Sequence, residues 1–309
     1  MAKIAKPSLL VIGGTGFIGY HLLRAAKKKD WKISSISLNK PKKHRYVRGI
    51  NYIIADIGNL KKLKKKLNKS FTYVVNLGGY VDHSFSKRGS NEIIKTHFIG
   101  LINLIKILSK KKIKSFVQIG SSAEYGKNKP PQNENQRCLP NSDYGLAKLA
   151  STEFLLMLYK IRKFPATILR LFQVYGSKQD SNRVLPQIIK GCLNNEKFPV
   201  SRGDQIRDFC YIDDVVNAIF LALTSKKSNG RIFNIGSGKP KKIKQVIKQV
   251  CRIIGQGKPQ FGKIKYRKDE NMKVYPIINK AHTELKWKPK IDFDKGIKIV
   301  INSFRKIND

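Results

Sequence analysis

Ser121, Tyr144 and Lys148 have the residue types and the spacing to carry acid/base chemistry. Tyr144 and Lys148 stand at i and i+4 in YGLAK, so on a helix they share one face. Ser121 lies at the end of the apolar run SFVQIGSS (115–122), a strand candidate. A free tyrosine titrates near pH ~10. A neighbouring ammonium, with any further positive charge bound close by, would favour the phenolate and bring it into acid/base range near neutral pH. Ser121 can hydrogen-bond the same substrate oxygen. A Tyr-x-x-x-Lys pair alone recurs by chance. It gains meaning from what precedes it.

Upstream, GGTGFIG places Gly13, Gly16 and Gly19 between an apolar strand, SLLVIGG (8–14), and a helical pattern, FIGYHLLRAAKKK (17–29). The spacing supplies a tight turn, close backbone approach to a pyrophosphate, and free N–H groups at a helix start. Thr15, Phe17 and Ile18 complete that turn, and it reads as a dinucleotide site. A NAD-type site places an acid about 20 residues further on, at the ribose. Here Leu38 and Asn39 stand there, followed by Lys40, Lys42, Lys43 and Arg45. The missing acid and the basic cluster favour NADP over NAD. Asp56 ends the third strand, where it can touch the adenine or cap the following helix.

The elements that must position these groups alternate. Strand patterns at 32–39, 50–56, 73–79, 115–122 and 166–176 are separated by helical ones, including NLKKLKKKLNK and a long helix near 91–111. Buried strands between helices predict an α/β fold, a doubly wound parallel sheet. The irregular stretch 127–143 is long enough to suggest a functional loop. The N-terminus runs straight into the first strand and the glycine motif, which does not read as a signal peptide. No apolar run is long enough to cross a membrane. Four scattered cysteines without zinc-ligand spacing fit reduced thiols, no metal, and a cytoplasmic location.

The formal charge is +43, from 63 basic and 20 acidic residues. Of the basic residues 49 are Lys and only 14 Arg, spread along the chain beside abundant Ile and Asn. AT-rich codons supply that composition. With no basic tail or zinc knuckle, it does not predict a specific nucleic-acid partner.

In order, GGTGFIG, SSAEYG, YGLAK, LRLFQVYG, GDQIRDFCYIDDVVNAI, FNIGSGK and LKWKPKIDFDKGI resemble the landmarks of the extended short-chain dehydrogenase/reductases, the sugar-nucleotide epimerase/dehydratase family. The resemblance covers nearly the whole chain. It implies a Rossmann domain (1–176 and 207–236) and a smaller substrate domain (177–206 and 237–309), with a nucleotide-diphosphate sugar between them. The segment 207–236 should return beside the Rossmann sheet as strand, helix, strand. Ser121, Tyr144 and Lys148 become the catalytic triad, with Lys148 also on the nicotinamide ribose. Gly13, Thr15, Gly16, Phe17, Ile18, Gly19, Asn39, Lys40, Asp56, Ile57, Leu77, Gly78 and Gly79 become cofactor contacts. Ser122, Gln173, Arg183 and Arg207 become substrate contacts, Arg207 at the diphosphate, while Asp208 orients its loop. A homodimer through the 91–111 helix and the helix after Tyr144 is also implied.

Departures from the family pattern carry information. Gln173 and His97 stand where asparagine is usual, and Ser177 where proline is. The 4,6-dehydratases carry Asp-Glu directly after the catalytic Ser/Thr; here Ser122 and Ala123 stand there, and Glu124, one position late, is expected to face away. That disfavours elimination. The reading is NAD(P)-dependent oxidoreduction at C4 of a nucleotide sugar, a 4-keto reductase ahead of a 4-epimerase with retained NAD. A non-catalytic dinucleotide sensor on the same fold is the rival from another class.

Overall fold

The computed structural model describes residues 6–79, 89–267 and 269–308. In chain order the first elements are β1 (Ser8–Ile12), α1 (Phe17–Lys28), β2 (Lys32–Ser37), β3 (Asn51–Ile54), α2 (Leu60–Lys66) and β4 (Tyr73–Asn76). Then come α3 (Gly89–Ile94), a π-helical turn (Lys95–Ile99), α4 (Gly100–Leu108), β5 (Ser115–Ser121), α5 (Asp143–Arg162), β6 (Ala166–Leu171) and β7 (Gln173–Tyr175). The rest are α6 (Val184–Leu193), β8 (Lys197–Val200), β9 (Ile206–Tyr211), α7 (Ile212–Thr224), β10 (Arg231–Ile235), β11 (Pro240–Lys242) and α8 (Ile243–Ile254). β12 (Lys258–Phe261), β13 (Lys273–Val274), α9 (Asn279–Thr283) and α10 (Phe293–Asn308) close the chain.

A seven-stranded sheet runs β10-β6-β5-β4-β1-β2-β3, and every pairing in it is parallel. The fold is the Rossmann type that the alternation implies. Successive residues of β1 serve opposite layers, as a strand's period of two requires. Leu9 and Val11 join the core that includes α1 and α7, whereas Leu10 and Ile12 join the one that includes α2, α4 and α5. The strand order reverses between β1 and β4, which opens a crevice at their C-terminal ends. The β1–α1 turn, the Leu77–Gly79 stretch after β4, and Ser121 at the end of β5 all meet that edge.

The sequence pattern reads 166–176 as one strand, but the chain breaks after Leu171. The Phe172 N–H bonds the Ile235 carbonyl (3.1 Å), and β7 then leaves to pair with β9 in a second, four-stranded sheet with β11 and β13. β9 therefore does not return beside the Rossmann sheet as expected. Of segment 207–236, α7 packs on β5 and β6, and β10 pairs with β6. The physical reason is pairing on both edges of β9: β7 and β13 run parallel to it and β11 antiparallel. Tyr175, Phe209, Tyr211 and Phe293 pack as an aromatic cluster between this sheet and the start of α10.

Candidate active site

The three residues singled out for chemistry come together. Ser142 caps α5 by accepting the Gly145 N–H (3.1 Å), which sets Tyr144 in the first turn and Lys148 one turn on. Gly145 permits the approach, because a Cβ there would lie 2.5 Å from the Ala123 carbonyl oxygen. The Ser121 and Tyr144 side chains hydrogen-bond. Lys148 is buried, donates to the Ile119 carbonyl (2.9 Å), and lies 5.9 Å from the Tyr144 ring centre. His97, buried in the π turn, meets Tyr144 edge-on at 5.1 Å between ring centres.

Burial dominates the titration of both groups. It pushes the Tyr144 phenol up to about 12; the Ser121 hydrogen bond opposes this, the Glu124 charge adds to it, and the Arg183 charge opposes it. Burial also brings the Lys148 ammonium down to about 8, against the pull of Glu124. The protein's own groups, taken alone, do not bring the phenol toward neutrality. Desolvation outweighs the favourable charges, and the ammonium is turned to a main-chain carbonyl.

Glu124 does not face away. It is fully buried, accepting the Ser121 N–H (2.8 Å), the Thr152 hydroxyl (2.8 Å) and the Arg170 Nε (2.7 Å). Sequence reasoning missed it because its main partners, Thr152 and Arg170, lie 28 and 46 residues away. The visible signal was the acid itself, three residues past Ser121.

The glycine turn suits a pyrophosphate. Gly13 takes a φ of +80°, the left-handed region that glycine enters without strain. A Cβ on Gly16 would meet nothing within 4 Å but the Gly13 oxygen, at 3.3 Å, so the front of the turn stays open. α1 begins at Gly16 with no side-chain cap and no acid in its first turn, leaving its first N–H groups for an anion. Thr15 donates its N–H to Ser37 (3.3 Å), Phe17 and Ile18 open the helix, and Gly19 packs on the strand side of the turn. Leu77 borders Gly13, and buried Ile57 lies against Gly78 and Gly100.

Two of the groups expected at the ribose end have partners within the protein, and the capping alternative for Asp56 falls to Asn59. Asp56 accepts the Gly58 N–H (2.8 Å) within its own loop, and Asn59 caps α2. Arg45 is 3% exposed, donates to the Lys178 carbonyl (3.0 Å from Nε) and pairs with Asp180 (2.9 Å). It is committed to the 178–180 loop, whereas Asn39 and Lys40 are exposed at the end of β2. The substrate candidates are more scattered. Ser122 follows Ser121 in a short 3-10 turn, Arg183 directly precedes α6 with its charge acting on Tyr144, and Gln173 is exposed on β7. Arg207 pairs with Glu270 and donates to the Ile206 and Met272 carbonyls (2.9 and 3.2 Å). Asp208 is buried and accepts the Ser237 N–H (2.5 Å) and hydroxyl (3.0 Å), orienting its loop as expected. Among the described residues, no group of His, Cys, Asp and Glu is placed to hold a metal ion.

A glycine turn open to an anion and a Ser-Tyr-Lys cluster thus meet at one edge of a Rossmann sheet, the make-up of a dinucleotide-linked enzyme class. The chain belongs to the NAD dependent epimerase/dehydratase family, whose model matches residues 9–236. A Methanocaldococcus jannaschii protein, provisionally named a UDP-glucose 4-epimerase, is 31% identical over 97% of this chain and 99% of its own. A UDP-N-acetyl-alpha-D-glucosaminuronate decarboxylase of Bacillus cytotoxicus is 28% identical over 98% of this chain and 99% of its own. Among solved structures, Thermotoga maritima UDP-glucose 4-epimerase with UDP-glucose superposes at a TM-score of 0.92. It is 27% identical and covers 98% of this chain and 100% of its own.

Proposed function

We propose that the protein is a UDP-hexose 4-epimerase with retained NAD, working by oxidation and re-reduction at C4. The observation that carries this reading is the engagement of Glu124. Its carboxylate is sealed against Arg170 and Thr152, and Ser122 and Ala123 follow Ser121, so no acid stands free beside Ser121 to eliminate water. Redox chemistry at the carbinol carbon remains. The commitment of Arg45 to Lys178 and Asp180 favours NAD over NADP, since an arginine fork is the best grip for a 2′-phosphate. NADP was the main argument for a reductase, and it is left resting on the missing acid at Asn39 and on the neighbouring lysines. The similarity to UDP-glucose 4-epimerases supports the same choice.

In this reading Gly13, Gly16 and the start of α1 hold the pyrophosphate, Asn39 the adenosine ribose, and Lys148 the nicotinamide ribose. The bound NAD supplies a reversible hydride acceptor, and its positive ring favours ionisation of a phenol otherwise held up by burial. Ser121 holds O4 of the sugar. Tyr144 takes the O4 proton and later returns it. Arg207 exchanges Glu270 for the substrate diphosphate, and Arg183, Ser122 and Gln173 border the sugar. The substrate lies between the seven-stranded sheet and a lobe built from 177–206 and 237 onward, and the active form is a dimer.

The test is twofold: the nucleotide released on denaturing the purified protein, and interconversion of UDP-glucose and UDP-galactose followed by NMR. We expect about one NAD per chain and conversion without added cofactor. Protein without nucleotide that reduces a 4-keto sugar nucleotide with NADPH would establish the reductase instead.

A further inference from the structure

We infer that Glu124 is the positioning residue of Ser121, fixing the end of β5 so that the Ser121 hydroxyl is aimed at the reacting oxygen. The catalytic part of this inference rests on the epimerase reading; the positional part does not.

The argument begins with the sheet. The Phe116 N–H bonds the Pro165 carbonyl beside β6, so alternation turns the main-chain groups of Ile119 and Ser121 the other way, toward β4. β4 ends at Asn76, opposite Gln118. Beyond that point β5 has no strand on this side, and the Ile119 carbonyl and Ser121 N–H must find other partners. Two charged side chains close the gap. Lys148 donates to the Ile119 oxygen (2.9 Å), and Glu124 accepts the Ser121 N–H (2.8 Å). The Ser121 Oγ in turn accepts the Ala123 N–H (3.1 Å). With N–H and Oγ both held, the hydroxyl proton is left to point at Tyr144 or at a substrate oxygen.

Stability alone does not account for an acid here. A buried carboxylate–guanidinium pair often gains nothing over apolar residues of similar volume. What apolar residues cannot supply is an acceptor for the Ser121 N–H. Arg170, which also lies over the Tyr125 ring at 4.7 Å, and Thr152 hold the carboxylate in the one orientation that provides it.

The test compares two double variants, so that no charge is left buried alone: Glu124→Leu with Arg170→Met, and Glu124→Gln with Arg170→Met. Both should fold, the Gln form melting near the wild type and the Leu form somewhat lower, because it leaves the Ser121 N–H and the Thr152 hydroxyl without their acceptor. We expect the Leu form to lose at least about tenfold in kcat with KM within about threefold, the mark of a misplaced reacting group. The Gln form, which keeps an acceptor for Ser121, should recover to within about threefold of wild-type kcat. Hydrogen exchange by mass spectrometry should speed up in the 119–125 peptide of the Leu form only. Wild-type kcat in the Leu form, an equal loss in both forms, a loss confined to KM, or unchanged exchange would overturn the inference. A wild-type protein inert toward UDP-hexoses would instead overturn the proposed function, while the exchange comparison still decides whether Glu124 holds Ser121.

Discussion

Lys148 should destabilise the fold that it equips for catalysis. The residue is 4% exposed, and burial brings its ammonium from the ordinary 10.5 to about 8. At about 1.4 kcal/mol per pH unit, that gap corresponds to about 3 kcal/mol against the charged form near neutrality. Lys148→Met removes the charge and keeps much of the volume. The carbonyl it leaves behind is not stranded, because Gln118 Nε2 also donates to Ile119 (3.1 Å). Allowing for the lost charged hydrogen bond, we expect the variant to be more stable than wild type by about 2 kcal/mol at pH 7. The sign with pH is definite. Between pH 8 and 10.5 the unfolded lysine still binds a proton that the folded one has released, so wild-type stability rises with pH through that window. Below it the penalty is in full force. The advantage of Lys148→Met should therefore be largest at pH 7 and shrink toward pH 10, where both chains carry an uncharged side chain in the fold. Urea unfolding of both proteins at pH 7 and 9.5, after removal of any bound nucleotide, measures the difference directly, and titrating groups away from Lys148 cancel. A variant less stable at pH 7, or a difference independent of pH, would refute the reasoning. Turnover should meanwhile fall at least about a hundredfold.

Tyr144→Phe should retain NAD and lose at least about a hundredfold in turnover, the scale of a positioned acid/base, measured by conversion of UDP-glucose. Gly19→Ala places a Cβ 2.4 Å from the Gly13 oxygen and 2.5 Å from the Gly14 Cα, both main-chain atoms that cannot yield cheaply. It should cost about 1–3 kcal/mol of stability and weaken NAD binding, read by thermal melts and calorimetric titration. On α5, Leu146, Met157 and Ile161 are 50, 45 and 69% exposed. At about 100° per residue they fall within about 60° of one another on the helix surface. Light scattering should give twice the chain mass, and Met157→Asp should shift it toward one.

The sequence by itself determined the elements and the short-range geometry. An i, i+4 spacing on a helix brings Tyr144 and Lys148 to one face wherever that helix lies. A glycine triad between an apolar strand and an amphipathic helix likewise makes an anion-binding turn without reference to the rest of the chain. The parallel sheet was legible for the same reason, since strands buried on both faces show as apolar runs. Only the tertiary structure decided which buried polar groups meet. Arg45 read as a free cation in a basic loop, but Asp180 and the Lys178 carbonyl, more than 130 residues on, engage it. β9 read as a Rossmann strand, yet its edges are taken by β7, β11 and β13. Glu124 read as a residue one place too late to matter, yet it answers a main-chain N–H that lacks a partner only because β4 stops where it does. Local spacing follows from the helix and strand repeats. The partner of a buried charge depends on where other strands end, which is a property of the assembled sheet.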